Sequence, residues 1–325
     1  MTDREMNDTL PTVVAAVDIG TNSTRLLVCS IERTADGLSM TDLERHSIVT
    51  RLGHGVDSNG RLAPAARERV LATLDDYRRI AELYPVDLRG GVLTSAGRDA
   101  SDGPQFRDEV EALSGFPVRL IDGDEEAGLA FSGAISERAE DGRTILVCDV
   151  GGGSTELIVG RRGEIVFNVS IDAGVVRQSE RHLRDDPPTV EQLDAVAGEV
   201  TAMIEGAVSR EIRDSVEACI AVAGSATSLS AIDQELEPYD PTRVHGATVT
   251  LERAREILAR IASLPLAERR EVPGLHPDRA PVTPAGAVIL TTVLESFGLD
   301  RFEASEHDIL RGEALRLLAA ADPGR

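Results

Sequence analysis

The sequence has no lysine and no tryptophan, and its 34 basic residues, all arginine, face 56 aspartates and glutamates. A Walker A loop ends in Gly-Lys-Ser/Thr, so this chain cannot form one. Aromatic residues make up only 3% and the formal net charge is −22. General nucleic-acid binding, which needs a basic footprint and stacking platforms, is therefore not expected. Cysteine is scarce: Cys29, Cys148 and Cys219 are odd in number, lack CxxC spacing and lie in apolar, strand-like runs. Such thiols are expected to be buried and reduced, as in a cytoplasmic protein. No apolar run approaches the roughly 20 residues of a membrane span. Val13 to Val17 is too short for a signal peptide and follows an acidic leader.

What the chain does contain is a glycine turn written twice. Residues 144 to 160, TILVCDVGGGSTELIVG, run from apolar residues through Asp149, Gly151, Gly152, Gly153, Ser154, Thr155 and Glu156 back to apolar ones. Short apolar runs on both sides predict a strand, a turn and a hairpin partner. Three glycines tolerate positive φ and leave backbone N–H groups bare, which makes the turn a candidate anion cradle. AVDIGTNSTRLLV, residues 16 to 28, repeats it at an offset of 149 − 18 = 131. That offset pairs Asp18 with Asp149, Gly20 with Gly151, Ser23 with Ser154, Thr24 with Thr155, Leu26 with Leu157 and Val28 with Val159. Thr21 and Asn22 stand for Gly152 and Gly153, and Arg25 for Glu156. A dinucleotide fingerprint fails here, because its last glycine would fall on Glu156 and strand formers follow. At 325 residues the chain exceeds the usual domain of roughly 100 to 200 residues. Two related domains gripping one phosphate-bearing ligand between paired loops are expected.

Between and beyond the turns, strands alternate with helices, which predicts an α/β fold with a partly parallel sheet. Residues 1 to 12 read as loose, Asp36-Gly37 as a turn, and 51 to 60 as a long loop. Pro64 opens a helix to about Leu83, and a single long helix is expected from Val190 to Ile212. Arg98 follows a strand in TSAGRDA, where α/β folds place ligand contacts. DGDEE, residues 122 to 126, starts a helix with Asp124 as its expected N-cap. Its crowded acids favour the helix dipole and also offer a carboxylate of raised pKa for general-base work. AGSATSLSA, from Ala223, gives a third small-residue helix start, with Gly224 and Ser225 facing an anion. Arg279 sits in the proline-rich stretch 273 to 286. His245 has no histidine partner at metal-site spacing.

DIGTNSTR, TSAGRDA, DGDEEAGLAFSGA, DVGGGSTEL, AGSAT, PGLHPDRA and SEHDILRGEAL occur in the order seen in the exopolyphosphatase and guanosine pentaphosphate phosphohydrolase (Ppx/GppA) family. The chain resembles that family over residues 13 to about 320. The resemblance implies two actin-like (ribonuclease H-like) domains with a ligand cleft between them, 1–125 with 306–325 and 126–305. It further implies hydrolysis of the terminal phosphate of inorganic polyphosphate with Mg²⁺ or Mn²⁺. Glu126 becomes the base that activates water, Asp149 and Glu156 metal-associated or water-positioning acids, Asp18 a further metal-associated acid, and Arg98 a phosphate ligand. The turns 20–23 and 151–155, Gly224, Ser225, Arg25 and Arg279 become phosphate contacts. The shortness of the chain relative to longer family members implies action on short polymers, and a homodimer is expected. LRGE (Leu310 to Glu313) in place of L-R-E-G, and RAP (Arg279 to Pro281) in place of R-A-D, depart from the family pattern. Guanosine pentaphosphate hydrolysis, a non-catalytic polyphosphate or alarmone sensor, and an actin-like ATP-binding protein or sugar kinase are the competing readings.

Overall fold

The computed structural model describes residues 11–34, 37–138 and 141–321. The expected loose leader (apart from 11 and 12) and residue 36 of the expected Asp36-Gly37 turn lie outside the described residues. The first unit begins with β1 (Thr12–Ile19), β2 (Ser23–Thr34) and β3 (Gly37–Val49), followed by helices α1 (Val56–Asn59) and α2 (Pro64–Ala81). It continues with β4 (Leu88–Leu93), α3 (Ser95–Asp99), α4 (Gly103–Ser114) and β5 (Val118–Leu120), after which α5 (Gly123–Ile135) leads into the second unit. The second unit repeats the plan with β6 (Thr144–Val150), β7 (Thr155–Arg161), β8 (Glu164–Ile171), α6 (Val175–His182), α7 (Val190–Ala207) and α8 (Arg210–Ser215). It closes with β9 (Ala218–Val222), α9 (Ala223–Asp233), α10 (Pro241–Val244), β10 (Thr248–Thr250), α11 (Leu251–Ser263), α12 (Leu266–Arg269), α13 (Thr283–Ser296) and β11 (Arg301–Ala304). The last helix is α14 (Ile309–Ala321).

The strand orders are β3-β2-β1-β4-β5 and β10-β11-β9-β6-β7-β8. In each sheet an antiparallel three-strand meander is followed by two parallel strands, and the second sheet adds β10 as an antiparallel edge. The offset of 131 residues persists in the hydrogen-bond register. Asp18 pairs with Arg25 across β1 and β2, and Asp149 with Glu156 across β6 and β7. Even the register shifts correspond, at Val28/Cys29 in one unit and Val159/Gly160 in the other. The sequence repeat is thus a structural repeat down to its irregularities.

Each sheet is apolar on both faces. Phe106, Tyr77 and Leu74 pack on one face of the first sheet, while Leu310 and Ala314 of α14 cover Val14 and Ala16 on the other. Ala127, Ala130 and Phe131 of α5 cover Ile145, Val147 and Ile158 of the second sheet. The helices α5 and α14 therefore belong to opposite units and cross at two glycines. A Cβ on Gly133 would overlap the Asp308 carbonyl, and one on Gly312 the Leu129 carbonyl. All three cysteines are buried and free, as expected. Among the described residues no helix is long and apolar enough to cross a membrane.

Several local expectations change. The helix expected through Ile212 ends at Ala207, and Ser209 caps a separate α8 by accepting the Ile212 N–H. A serine offers the backbone this alternative partner and so favours a restart over continuation. Residues 51–60 are not a plain loop, since 56–59 form α1 between two left-handed glycines, Gly55 and Gly60. Asp122, not Asp124, caps α5 by accepting the Glu125 N–H at 2.9 Å, and Asp124 instead accepts from Asn168. The glycines of the central turn have no positive φ; their use is close approach, described below. His245 stacks on His307 with ring centroids 4.0 Å apart, a ring contact that leaves the expectation about metal-site spacing as it was.

One edge of the gap between the units is tied by charge. Arg177 on α6 bridges Asp172 (2.7 Å) in its own unit to Asp57 (3.1 Å) and Asp99 in the other. Arg181 also reaches Asp57, and His54 meets Glu180 at 2.5 Å. The carboxylates are well solvated, so screening leaves this clasp about 1 kcal/mol. Arg177→Ala is expected to lower the melting temperature by a few degrees, with the difference shrinking in 1 M salt. Calorimetry at two ionic strengths checks this; a salt-independent loss would assign Arg177 a packing role instead.

Candidate active site

The two glycine turns meet head-on at the centre of the gap. In each, the first glycine donates to the serine three residues on, Gly20 to Ser23 and Gly151 to Ser154, both at 3.0 Å. Neighbouring segments then take up the turn carbonyls. Gly53 and Arg51 donate to Thr21 and Asn22, while Val175 and Val176 donate to Gly151 and Gly152. With the carbonyls engaged, the N–H groups of Thr21, Asn22, Gly152 and Gly153 have no backbone acceptor among the described residues. The divergence between the copies now has a steric reason. A Cβ on Gly152 would lie 2.8 Å from the Asn22 nitrogen, and one on Gly153 would lie 2.9 Å from Thr21 Oγ1. One loop carries side chains because the other carries none.

Both turns, from Gly20 to Ser23 and from Gly151 to Ser154, line a single cleft together with Asp18, Arg25, Glu126 and Asp149. Gly224, Ser225 and Arg279 complete its far wall. At the elbow from β9 to α9, Ala223 has φ 62, a left-handed conformation that costs a non-glycine residue roughly 1 kcal/mol and marks strained functional sites. Ser225 is anchored by its hydroxyl to the Val150 carbonyl at 3.4 Å. Arg279 lies against Gly224, where a Cβ would overlap its guanidinium. It has no carboxylate ion pair among the described residues. Burial and the charge of Arg25 both push its pKa down. A cation held in this way favours an incoming anion.

Three of the sequence-derived residues lie outside the cleft lining. The Thr155 hydroxyl donates to the Ala173 carbonyl at 2.7 Å and fastens the turn from behind. Glu156 is 1% exposed and accepts from Ser170 at 2.8 Å. Burial and the nearby Glu126 hold its carboxyl well above the usual range. Arg98 stands behind Glu126, donating to its Oε2 at 3.0 Å and to the Ile121 carbonyl at 3.2 Å. Arg25 is in the cleft but is engaged by acids. Its Nε donates to Asp18 at 2.7 Å, and Nη1 pairs with Asp308. Asp308 and Arg45 pair at 3.1 Å; Asp308 lies within the motif SEHDILRGEAL with nothing in sequence to mark it among its neighbours, and Arg45 lies in no motif. Thr94 and Ser95, also in the lining, stood in TSAGRDA beside the more conspicuous Arg98.

Burial shifts the cleft acids toward their neutral forms. Burial raises Glu126 above its ordinary value, with Arg98 opposing. Burial likewise raises Asp18 against Arg25. Asp149 is pushed to about 7, by burial first, with Arg25 opposing and Asp308, Glu126 and Asp18 adding to the rise. An unfolded aspartate titrates near 4, so from about pH 4 to 7 the folded chain keeps a proton that the unfolded chain releases. Stability from this group is full below that window and is lost as pH rises through about 7. The metal-free protein is expected to melt lower at pH 7.5 than at pH 5, and Asp149→Asn to flatten that slope. Scanning fluorimetry in chelator checks both; an equal slope in the variant would remove Asp149 as its source.

A divalent cation fits this donor set. Oδ1 of Asp18 is buried without a hydrogen-bond partner, and Asp149 adds a second hard oxygen donor to the same wall. Among the described residues no three His, Cys, Asp or Glu groups form a cage. Mg²⁺ does not need one, since it is usually held by one or two carboxylates with phosphate oxygens and water.

Comparison with known proteins agrees with this geometry. The sequence model of the Ppx/GppA phosphatase family matches residues 30–317. The chain is 35% identical over 315 residues to exopolyphosphatase 2 of Mycobacterium tuberculosis, covering 94% of this chain and 98% of that protein. A crystal structure of an exopolyphosphatase-like protein is 36% identical, with a TM-score of 0.87 over 96% of this chain and 100% of that one. The Ppx/GppA family member of Aquifex aeolicus superimposes with a TM-score of 0.78 at 26% identity, covering 97% and 99%. The expected fold, two actin-like α/β domains around a cleft, is the one observed.

Proposed function

Because the chain belongs to the Ppx/GppA phosphatase family and is a phosphohydrolase, we propose that it releases terminal orthophosphate from inorganic polyphosphate, acting on short chains. The observation that carries this reading is the cleft itself: two facing rows of backbone N–H groups, with Arg279 and three buried acids beside them. Phosphoryl transfer asks for positioning and charge neutralisation more than for covalent chemistry, and this wall offers both. The turn amides and Arg279 bind and orient the terminal phosphate. Glu126, its pKa raised, accepts the proton of a water lined up with the leaving phosphate, and Arg98 fixes the carboxylate's direction. Asp18 and Asp149 would hold Mg²⁺ or Mn²⁺, which supplies neutralisation of the phosphate charge.

A cavity of about 390 Å³ opens beside Arg279 and is flanked by Tyr239 and Pro241. Its size favours a second reading, guanosine pentaphosphate 5′-phosphohydrolase, with the nucleoside seated there. Orthophosphate release from short-chain polyphosphate and from guanosine pentaphosphate under Mg²⁺ separates the two. Faster release from polyphosphate, lost on chelation, is expected; a clear preference for pentaphosphate would reverse the order. Binding of both without turnover would favour a sensor.

A further inference from the structure

Asp308 lies at the start of α14, 2% exposed, behind the cleft wall. Its Oδ1 accepts the Leu310 N–H at 3.1 Å, and its Oδ2 takes Arg25 Nη1 and, at 3.1 Å, Arg45 Nη2. Arg25 in turn spends Nε (2.7 Å) and Nη2 (2.6 Å) on a single atom, Oδ2 of Asp18. The other oxygen, Oδ1, is buried and has no partner. This division is unusual, because a guanidinium left to itself engages a carboxylate through both oxygens in a fork. The far end of Arg25, Nη1, is taken by the second acid, Asp308.

We propose that Asp308 is a positioning residue for the cation site: it holds Arg25 to one oxygen of Asp18 and so keeps Oδ1 open to a divalent cation. Its negative charge also offsets that of Arg25, which would otherwise repel a cation at close range. The segment that carries it links the second unit to α14, so the geometry of Asp18 depends on how the two units are joined. This inference rests on the phosphohydrolase reading of the cleft but not on which phosphate polymer is cleaved.

The test reads cation and anion binding separately on the substrate-free full chain at pH 8, Mn²⁺ by electron paramagnetic resonance and orthophosphate by calorimetry. Asp308→Asn keeps the size of the side chain and removes its charge. It is expected to weaken Mn²⁺ binding roughly tenfold while orthophosphate binds equally or more tightly. General loosening of the fold would weaken both. Adding Arg25→Gln to that variant is expected to restore Mn²⁺ binding, because the freed guanidinium is gone. Unchanged Mn²⁺ binding in Asp308→Asn, or no recovery in the double variant, overturns the proposal. Should Asp308→Asn not fold, Arg25→Gln alone must bind Mn²⁺ at least as tightly as the wild type; weaker binding overturns it equally. A polyphosphate assay that fails while these results hold would revise the substrate and leave Asp308 in place.

Discussion

Glu126→Gln is expected to lower turnover about a thousandfold, the middle of the range a positioned general base contributes, while substrate still binds. Glutamine keeps the shape of the side chain and an oxygen for Arg98, which donates to Oε2 at 3.0 Å. What it loses is the lone pair that takes the proton from water. The buried position of Glu126 sharpens the expectation. Burial raises its pKa despite Arg98, and a stronger base is a better proton acceptor as long as it is ionised. Wild-type activity should therefore rise with pH across the titration of this acid group, and the variant's residual activity should lose that limb. Steady-state kinetics over pH 5 to 9, with calorimetric binding of a non-hydrolysable phosphonate analogue, provides both readouts. Near-normal turnover in the variant would remove Glu126 from the mechanism, and loss of binding would make it a structural residue.

The second large effect is expected at the crossing of α5 and α14. Gly133→Ala drives a methyl group into backbone, the Asp308 carbonyl, with the Gly312 nitrogen 3.0 Å away. Neither neighbour is a flexible side chain that could swing aside, so the helices must separate. Overpacking of this kind costs typically 1–3 kcal/mol and occasionally more, which is several degrees of melting temperature. Gly128→Ala on the same helix is the control. A Cβ there meets nothing within 4 Å, and alanine is favoured over glycine in a helix by roughly 0.5–1 kcal/mol. Denaturant titration of the two variants should move the midpoint in opposite directions. A neutral Gly133→Ala would mean that the two units slide past one another without cost.

Much of the site was readable because a repeat is read by comparing the chain with itself. The offset of 131 residues identified both turns, and the structure keeps it in strand register and in the matching register shifts. Strand and helix positions followed from apolar periodicity. One misplacement was a choice between two good caps: Asp122 accepts the Glu125 N–H, and Asp124 accepts from Asn168 instead. The glycine turn was assigned to the right place for an incomplete reason. Gly152 is small because the other loop presses against it, and Gly153 because Ser95 and Thr21 do; sequence carries no record of what lies across a gap.

The same boundary runs through the charged residues. Composition alone excluded a Walker A loop and a basic nucleic-acid footprint, and the ordered motifs pointed to the family. Which arginine meets which acid was decided only by folding, because residues 18, 25 and 308 come together through a helix that closes the chain onto its first strand. Arg25 and Arg279 look alike in sequence, yet the first is claimed by two buried acids and the second has no acid ion pair among the described residues. That difference leaves Arg279 available to an anion. Charge pairing depends on distance in space, and distance between remote segments is set by packing.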